Sequence, residues 1–196
     1  MPYPVYVISG VLLWTAFLKM LNSPLQQLQA SRHTLAKISF PWESLIITGW
    51  AEALIEFSVF LVVMAGLDVA YGVSLAGLIA SLPVMLLLLV LGGGVGLLLA
   101  PFGLLYDDIA RAVSIASYLV FFLMPIIYPP PSTMPGLAAV LANPAAVLLV
   151  TAREMMASQA VSHPVAAVVA SAGAVFTLLL GIVTLRVSVP HVISKL

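Results

Sequence analysis

A chain of 196 residues that is 63% hydrophobic and only 7% charged, with a mean hydropathy of +1.20, cannot cover a soluble surface, because ordinary soluble domains are about 25% charged. Seven basic residues balance seven acidic ones, which removes electrostatic support for a nucleic-acid partner, and the absence of cysteine excludes a disulfide framework, a thiolate metal site and a thiol nucleophile. The composition points to an all-α membrane protein, a single domain whose length allows five or six crossings of about 20 residues each.

Five spans follow in chain order. The first, 4–21, ends where Lys19 can snorkel to the interface. A cleaved signal peptide is not expected, since the apolar run begins at Pro4 without a basic leader. The segment 22–40 mixes Gln26, Gln27 and Gln29 with Leu25, Leu28, Leu35 and Ile38, a pattern that suits a short surface helix. The second span is 44–65. The third is 74–99, with Pro83 inside as an expected kink. A fourth, 112–128, follows the charged turn 106–111, and the last is 166–185. The loop 129–163 is punctuated by Pro129 to Pro131, Pro135, Gly136, Asn143 and Pro144. Its apolar pieces are too short to span and read as re-entrant or interfacial helices.

Orientation follows from the basic residues. Lys19, Arg32, Lys37, Arg111, Arg186 and Lys195 share one side if the spans alternate, and only Arg153 falls on the other. That predicts a multi-pass protein of the cytoplasmic membrane with its amino terminus outside and its carboxyl terminus in the cytoplasm.

Several stretches could carry chemistry. "LGGGVG" (91–96) lacks the Gly-Lys-Ser/Thr of a phosphate loop. Gly92 and Gly96 instead form a small-xxx-small pair that lets another helix approach closely. Glu52 and Glu56 share a face of the second span. Glu56 falls near the membrane middle, where a carboxylate costs about 2.5–3.5 kcal/mol; it either lines a polar pathway or makes a helix contact. Tyr6, Trp14 and Phe60 belong to an aromatic set that could stack on sugar rings, although interfacial belts and packing account for such residues equally well. His33, His163 and His191 are too scattered for a metal site, no cofactor is expected, and nothing resembles a nucleophile elbow, so the chain is not expected to be an enzyme.

"LLYDDIARAVS" (104–114) places Asp107, Asp108 and Arg111 within one turn, although no Asp, Glu, Lys, Arg or His occurs from Val69 to Tyr106 or from Ala112 to Ala152. Acids at a helix start favour the dipole, and Asp108 can cap the next turn. The alternative is a docking helix that faces a soluble partner.

The stretches "PYPVYVISGVLLWTAF", "LAKISFPWESL", "LLYDDIARAVSIASYLVFFLMPIIYPP" and "MPGLAAVLANPAAVLLVTARE" resemble, in that order, the permease subunits of ABC type-2 exporters. The nearest likeness is to the polysaccharide branch that moves O-antigen, capsule or teichoic-acid chains. The most specific pieces are Lys37, Phe40 and Pro41, then Ile126-Ile127-Tyr128-Pro129, and Asn143-Pro144 followed by Arg153. The resemblance implies a homodimer of permeases that moves a lipid-linked polysaccharide, driven by a separate ABC ATPase subunit. It implies coupling segments at 22–40 and 106–111, with Arg32, Lys37, Asp107, Asp108 and Arg111 facing the ATPase, and aromatic residues along the glycan path. Members of that family usually carry an amphipathic helix and one more span ahead of the "PYP" motif, which here follows Met1 directly, and Arg-Asp in place of Asp107-Asp108. Export of a drug or small lipid, and a non-transporting membrane scaffold, are the other readings of the same pattern.

Overall fold

The computed structural model describes residues 2–32, 41–128 and 136–193. Among them are seven helices and no strand. They are α1 (Tyr3–Ala30), α2 (Trp42–Ala70), α3 (Leu75–Leu105), α4 (Asp107–Leu123), α5 (Gly136–Ala142), α6 (Pro144–Met156) and α7 (Pro164–Ile193). Four of these, α1, α2, α3 and α7, are long and apolar enough to cross a membrane.

Close contacts set the directions of the helices. A Cβ on Gly92 would meet the Phe17 carbonyl, and one on Gly96 would meet the Leu21 carbonyl, so α1 and α3 run parallel. Gly94 abuts the backbone of Leu178, while Leu97, Ala100 and Leu104 pack with Leu185, Val189 and Val192; α7 is therefore parallel to α3 as well. Ser23 lies against Gly49, and Lys19 pairs with Glu56, which makes α2 antiparallel to α1. The ends of α1, α3 and α7 thus gather at one end of the bundle, here termed the base. The opposite end, the crown, holds α5, α6 and the starts of those three helices.

Helix α3 is the central element, and its glycine run explains why. Gly92 and Gly96 face α1, Gly93 faces Trp50 of α2, and Gly94 faces α7. One turn without side chains lets three neighbours approach the same backbone. Elsewhere the α2–α3 turn needs Gly72 at φ +70, a conformation that glycine adopts without steric cost.

The predicted elements are present with altered bounds. α1 continues through Ala30 instead of stopping at 21, so 22–30 extends the first helix rather than forming a surface helix of its own. Two polar side chains make this possible: Asn22 Nδ2 donates back to the Leu18 carbonyl (2.8 Å), and Gln29 Nε2 donates to Gly103 O on α3 (2.8 Å). α3 is one continuous helix with Pro83 and Pro101 inside it. The fourth predicted span appears as the 17-residue α4, shorter than the others; it climbs from the base to about the level of Trp14, and residues 124–128 complete the passage to the crown, where the Tyr128 carbonyl accepts a hydrogen bond from Tyr6 Oη (3.1 Å).

After α4, α5 and α6 are the expected short helices. Asn143 caps α6, its Oδ1 accepting from the amides of Ala145 (3.0 Å) and Ala146 (3.4 Å), and Pro144 holds the first helical position. Asparagine at the cap followed by proline is a favoured helix start. α6 packs along α3 and ends at the crown, where the Met156 carbonyl sits against Gly77. From its cap it rises about 18 Å, so its start is set deep between the long helices. Glu154 closes the following turn by accepting from Ser162 Oγ (2.6 Å) and Ser162 N (3.0 Å).

Candidate functional site

Two polar features interrupt this apolar bundle. The first runs along its side. On α1, Thr15, Lys19, Asn22 and Gln26 recur at helical spacing and share one face. Thr15, Lys19 and Gln26 are exposed and Asn22 is half-buried. On α2, Glu56, Glu52 and Thr48 follow one another by single turns on the adjoining face, and Glu52 and Thr48 are exposed. Lys19 Nζ and Glu56 Oε2 join the two helices at 3.3 Å, with 44% and 37% of their side-chain surfaces still open. The result is a polar stripe from the base to about the middle of the bundle.

Its depth can be set against the charge-free helices. Lys19 lies between Phe17 and Leu21, whose α3 partners are Gly92 and Gly96, so it is level with Gly94. Gly181 of α7 touches the carbonyl of that same Gly94. At 1.5 Å per residue, the pair stands about 8 Å inward of Arg186, the first charge on α7. It therefore lies within the layer that α3 and α7 fill with apolar side chains. A charged side chain facing hydrocarbon at mid-depth costs about 2.5–3.5 kcal/mol even on the lenient scale. The stripe accordingly suits water or another polar surface far better than lipid.

The second feature is a knot at the crown built on Arg153, which is 3% exposed. Its Nη1 donates to the Pro125 carbonyl (2.6 Å), and its Nη2 donates to those of Ile126 (2.6 Å) and Tyr6 (3.0 Å). The guanidinium also lies 4.0 Å from the centre of the Tyr6 ring. One side chain thus ties α6 to the turn after α4 and to the first turns of α1. Burial draws its pKa well below the usual arginine range to about 10, with Tyr6 opposing the shift, so it remains cationic at neutral pH. There is room for the group only because position 10 is glycine: a Cβ there would collide with the guanidinium. Gly10→Ala should loosen the crown by about 1–3 kcal/mol, the usual range for overpacking, read as a lower midpoint of thermal unfolding in detergent; an unchanged midpoint would mean that the guanidinium has space to move aside.

The predicted site residues separate into groups. Glu52 and Glu56 lie on the stripe, and Phe60 is half-buried one turn crownward of Glu56. Tyr6 belongs to the Arg153 knot instead. Trp14 turns into the core and stacks on Phe17 at 5.0 Å. Arg32 follows the end of α1, and Asp108 and Arg111 lie in the first turns of α4, all at the base end; Lys37 lies outside the described residues, and Asp107 is the first residue of α4. No side chain caps α4, because its cap position is Tyr106; Asp108 is already inside the helix, so an effect on the helix dipole remains but capping does not.

Sequence reasoning noted Arg153 only as the odd cation and as part of the resemblance, and passed over Lys19 as the partner of Glu56, and Asp68. The signal for Arg153 was present: a cation in an otherwise apolar stretch, set apart from the other six basic residues by the expected alternation of spans. Asp68, on the core-facing side of α2, is fully buried, and neither carboxylate oxygen has a hydrogen-bond partner. Among the described residues, no group of His, Cys, Asp and Glu could hold a metal ion. A scan against models of known protein families finds none that matches this chain, and a search of curated proteins finds no match either.

Proposed function

We propose that the chain is the permease subunit of an ABC exporter that carries a lipid-linked polysaccharide out across the cytoplasmic membrane, working as a homodimer with a separate ATPase subunit. The observation that carries this reading is the stripe of Thr15, Lys19, Asn22 and Gln26 beside Thr48, Glu52 and Glu56. A scaffold that only packs in lipid has no use for charges at that depth, whereas a conduit for a hydroxyl-rich chain needs such a wall. The substrate class rests on the sequence resemblance.

The base is the cytoplasmic face in this reading, because Arg32, Arg111 and Arg186 lie there. Arg153 does not count against it, since its charge is spent on three backbone carbonyls inside the fold. The α3–α4 turn, with Tyr106, Asp108 and Arg111 all exposed, is the surface that an ATPase would grip. The outer end is closed by α5 and α6 until the Arg153 knot releases.

Co-purification tests the docking half. The chain co-expressed with its cognate ATPase subunit should retain that partner, and Asp108→Lys should lose it. Retention by the variant would contradict docking at this turn. Glu56→Gln tests the conduit half. It should leave complex formation intact and lower export by at least about tenfold, equivalent to about 1.4 kcal/mol in the barrier. Unchanged export would assign Glu56 to helix packing.

A further inference from the structure

We propose that the cleft between α1 and α4 holds one acyl chain of a phospholipid from the base-side leaflet. A cavity of about 300 Å³ lies there, walled by α1, α3 and α4. Its sides are apolar, with Phe17 and Leu21 facing Val95 and Leu99 across it, and Val113 and Val120 along α4. At about 30 Å³ for a water-sized group, the space admits about ten methylenes.

Position and shape select the occupant. The cleft begins beside Trp14, about 16 Å along α1 from Tyr3 and so near half depth. Its crown end is blocked by the start of α6, where Asn143 and Pro144 form part of the lining. From that stop it runs about 12 Å towards the base, measured along α3 from Leu91 to Leu99. That length fits within one leaflet of a hydrocarbon layer about 30 Å thick. A chain entering from the crown side would meet α6, whereas one entering from the base side meets an open slot of the right depth.

Water is a poor filler, since apolar cavities stay dry and a water needs two or more polar partners. Protein does not fill the space either, because α4 packs far less extensively on α1 and α3 than those two helices pack on each other. A bound chain would complete the contact that the side chains leave unfinished, and it would let α4 shift without opening a void.

The test uses the whole chain in nanodiscs that contain a phosphatidylethanolamine with a photoactivatable diazirine at the end of one acyl chain. Peptide mapping after irradiation should place adducts on 14–21 and 113–124 at several times the level found on the outward face of α7 near Val168 and Phe176. Ser117→Phe should fill the slot and lower those adducts about tenfold while leaving the α7 adducts unchanged. Ser117→Leu, a milder filler, should lower them to a lesser degree and covers the case in which the phenylalanine variant misfolds. Adducts no more abundant in the slot than on α7 would overturn the proposal, as would labelling that neither variant reduces. Displacement of the probe by an equimolar polyprenyl phosphate would also overturn it, by assigning the slot to a prenyl carrier. Disulfide formation between copies carrying Ala116→Cys, with the probe excluded, would assign it to a second protomer and equally end the acyl-chain reading.

Discussion

Gly96→Leu should be the most damaging single substitution in the bundle, with a loss of about 3 kcal/mol or more in stability. Overpacking a tight core costs about 1–3 kcal/mol when side chains can give way. Here the obstacle is backbone: a Cβ on Gly96 would meet the Leu21 carbonyl, and one turn earlier a Cβ on Gly92 would meet the Phe17 carbonyl, so that turn cannot shift to compensate. α1 would have to move away from α3 along its central length, taking its contacts with Gly93 and Trp50 along. The natural control is Gly173→Leu on α7, where nothing lies within 4 Å; it should stay within about 0.5 kcal/mol of the parent. Thermal unfolding of the purified protein in detergent, followed by the loss of monodisperse material, compares the two. Equal midpoints for both variants would refute the central role given to the α3 glycines.

Arg153→Met should cost nearly as much, by a different route. The methionine fills much of the same volume but leaves the carbonyls of Pro125 and Ile126 without their donors, while the Tyr6 carbonyl keeps the Ser9 hydroxyl. A buried polar group left unpaired costs about 1–3 kcal/mol, so two of them together should cost at least about 2 kcal/mol. Arg153→Lys should fall between, since an ammonium restores charge but lacks the planar fork that reaches separate acceptors. The loss should be local as well as global: the 124–128 and 157–163 turns should become cleavable by protease before the long helices do. Simultaneous cleavage everywhere would show that the knot carries no separate part of the fold.

Much of the bundle could be read from the chain because hydrophobic runs and charges are cheap signals in a membrane setting. The Gly92–Gly96 pair was legible for the same reason, since spacing alone puts both on one face. The extension of α1 was not, because it depends on Gln29 meeting Gly103, a partner 74 residues away. The knot was hidden more deeply. Arg153 has only Glu154 as a charged neighbour in the sequence, and two of its three acceptors are carbonyls of Pro125 and Ile126, whose side chains advertise nothing polar. The shared face of Glu52 and Glu56 was visible as a helical interval, but Lys19 read as a snorkelling end-of-helix cation, and only the antiparallel pairing of α1 with α2 brings it to Glu56.

The transport reading depends on the stripe being wet. The chain has no cysteine, so single cysteines can be introduced one at a time without background. Thr15→Cys, Asn22→Cys and Gln26→Cys, in membranes exposing the base side, should react with a membrane-impermeant thiol reagent, whereas Val168→Cys and Phe176→Cys on the outward face of α7 should not. If the cysteines at 15 and 22 prove as unreactive as those on α7, the stripe faces lipid or protein and no aqueous path runs along α1.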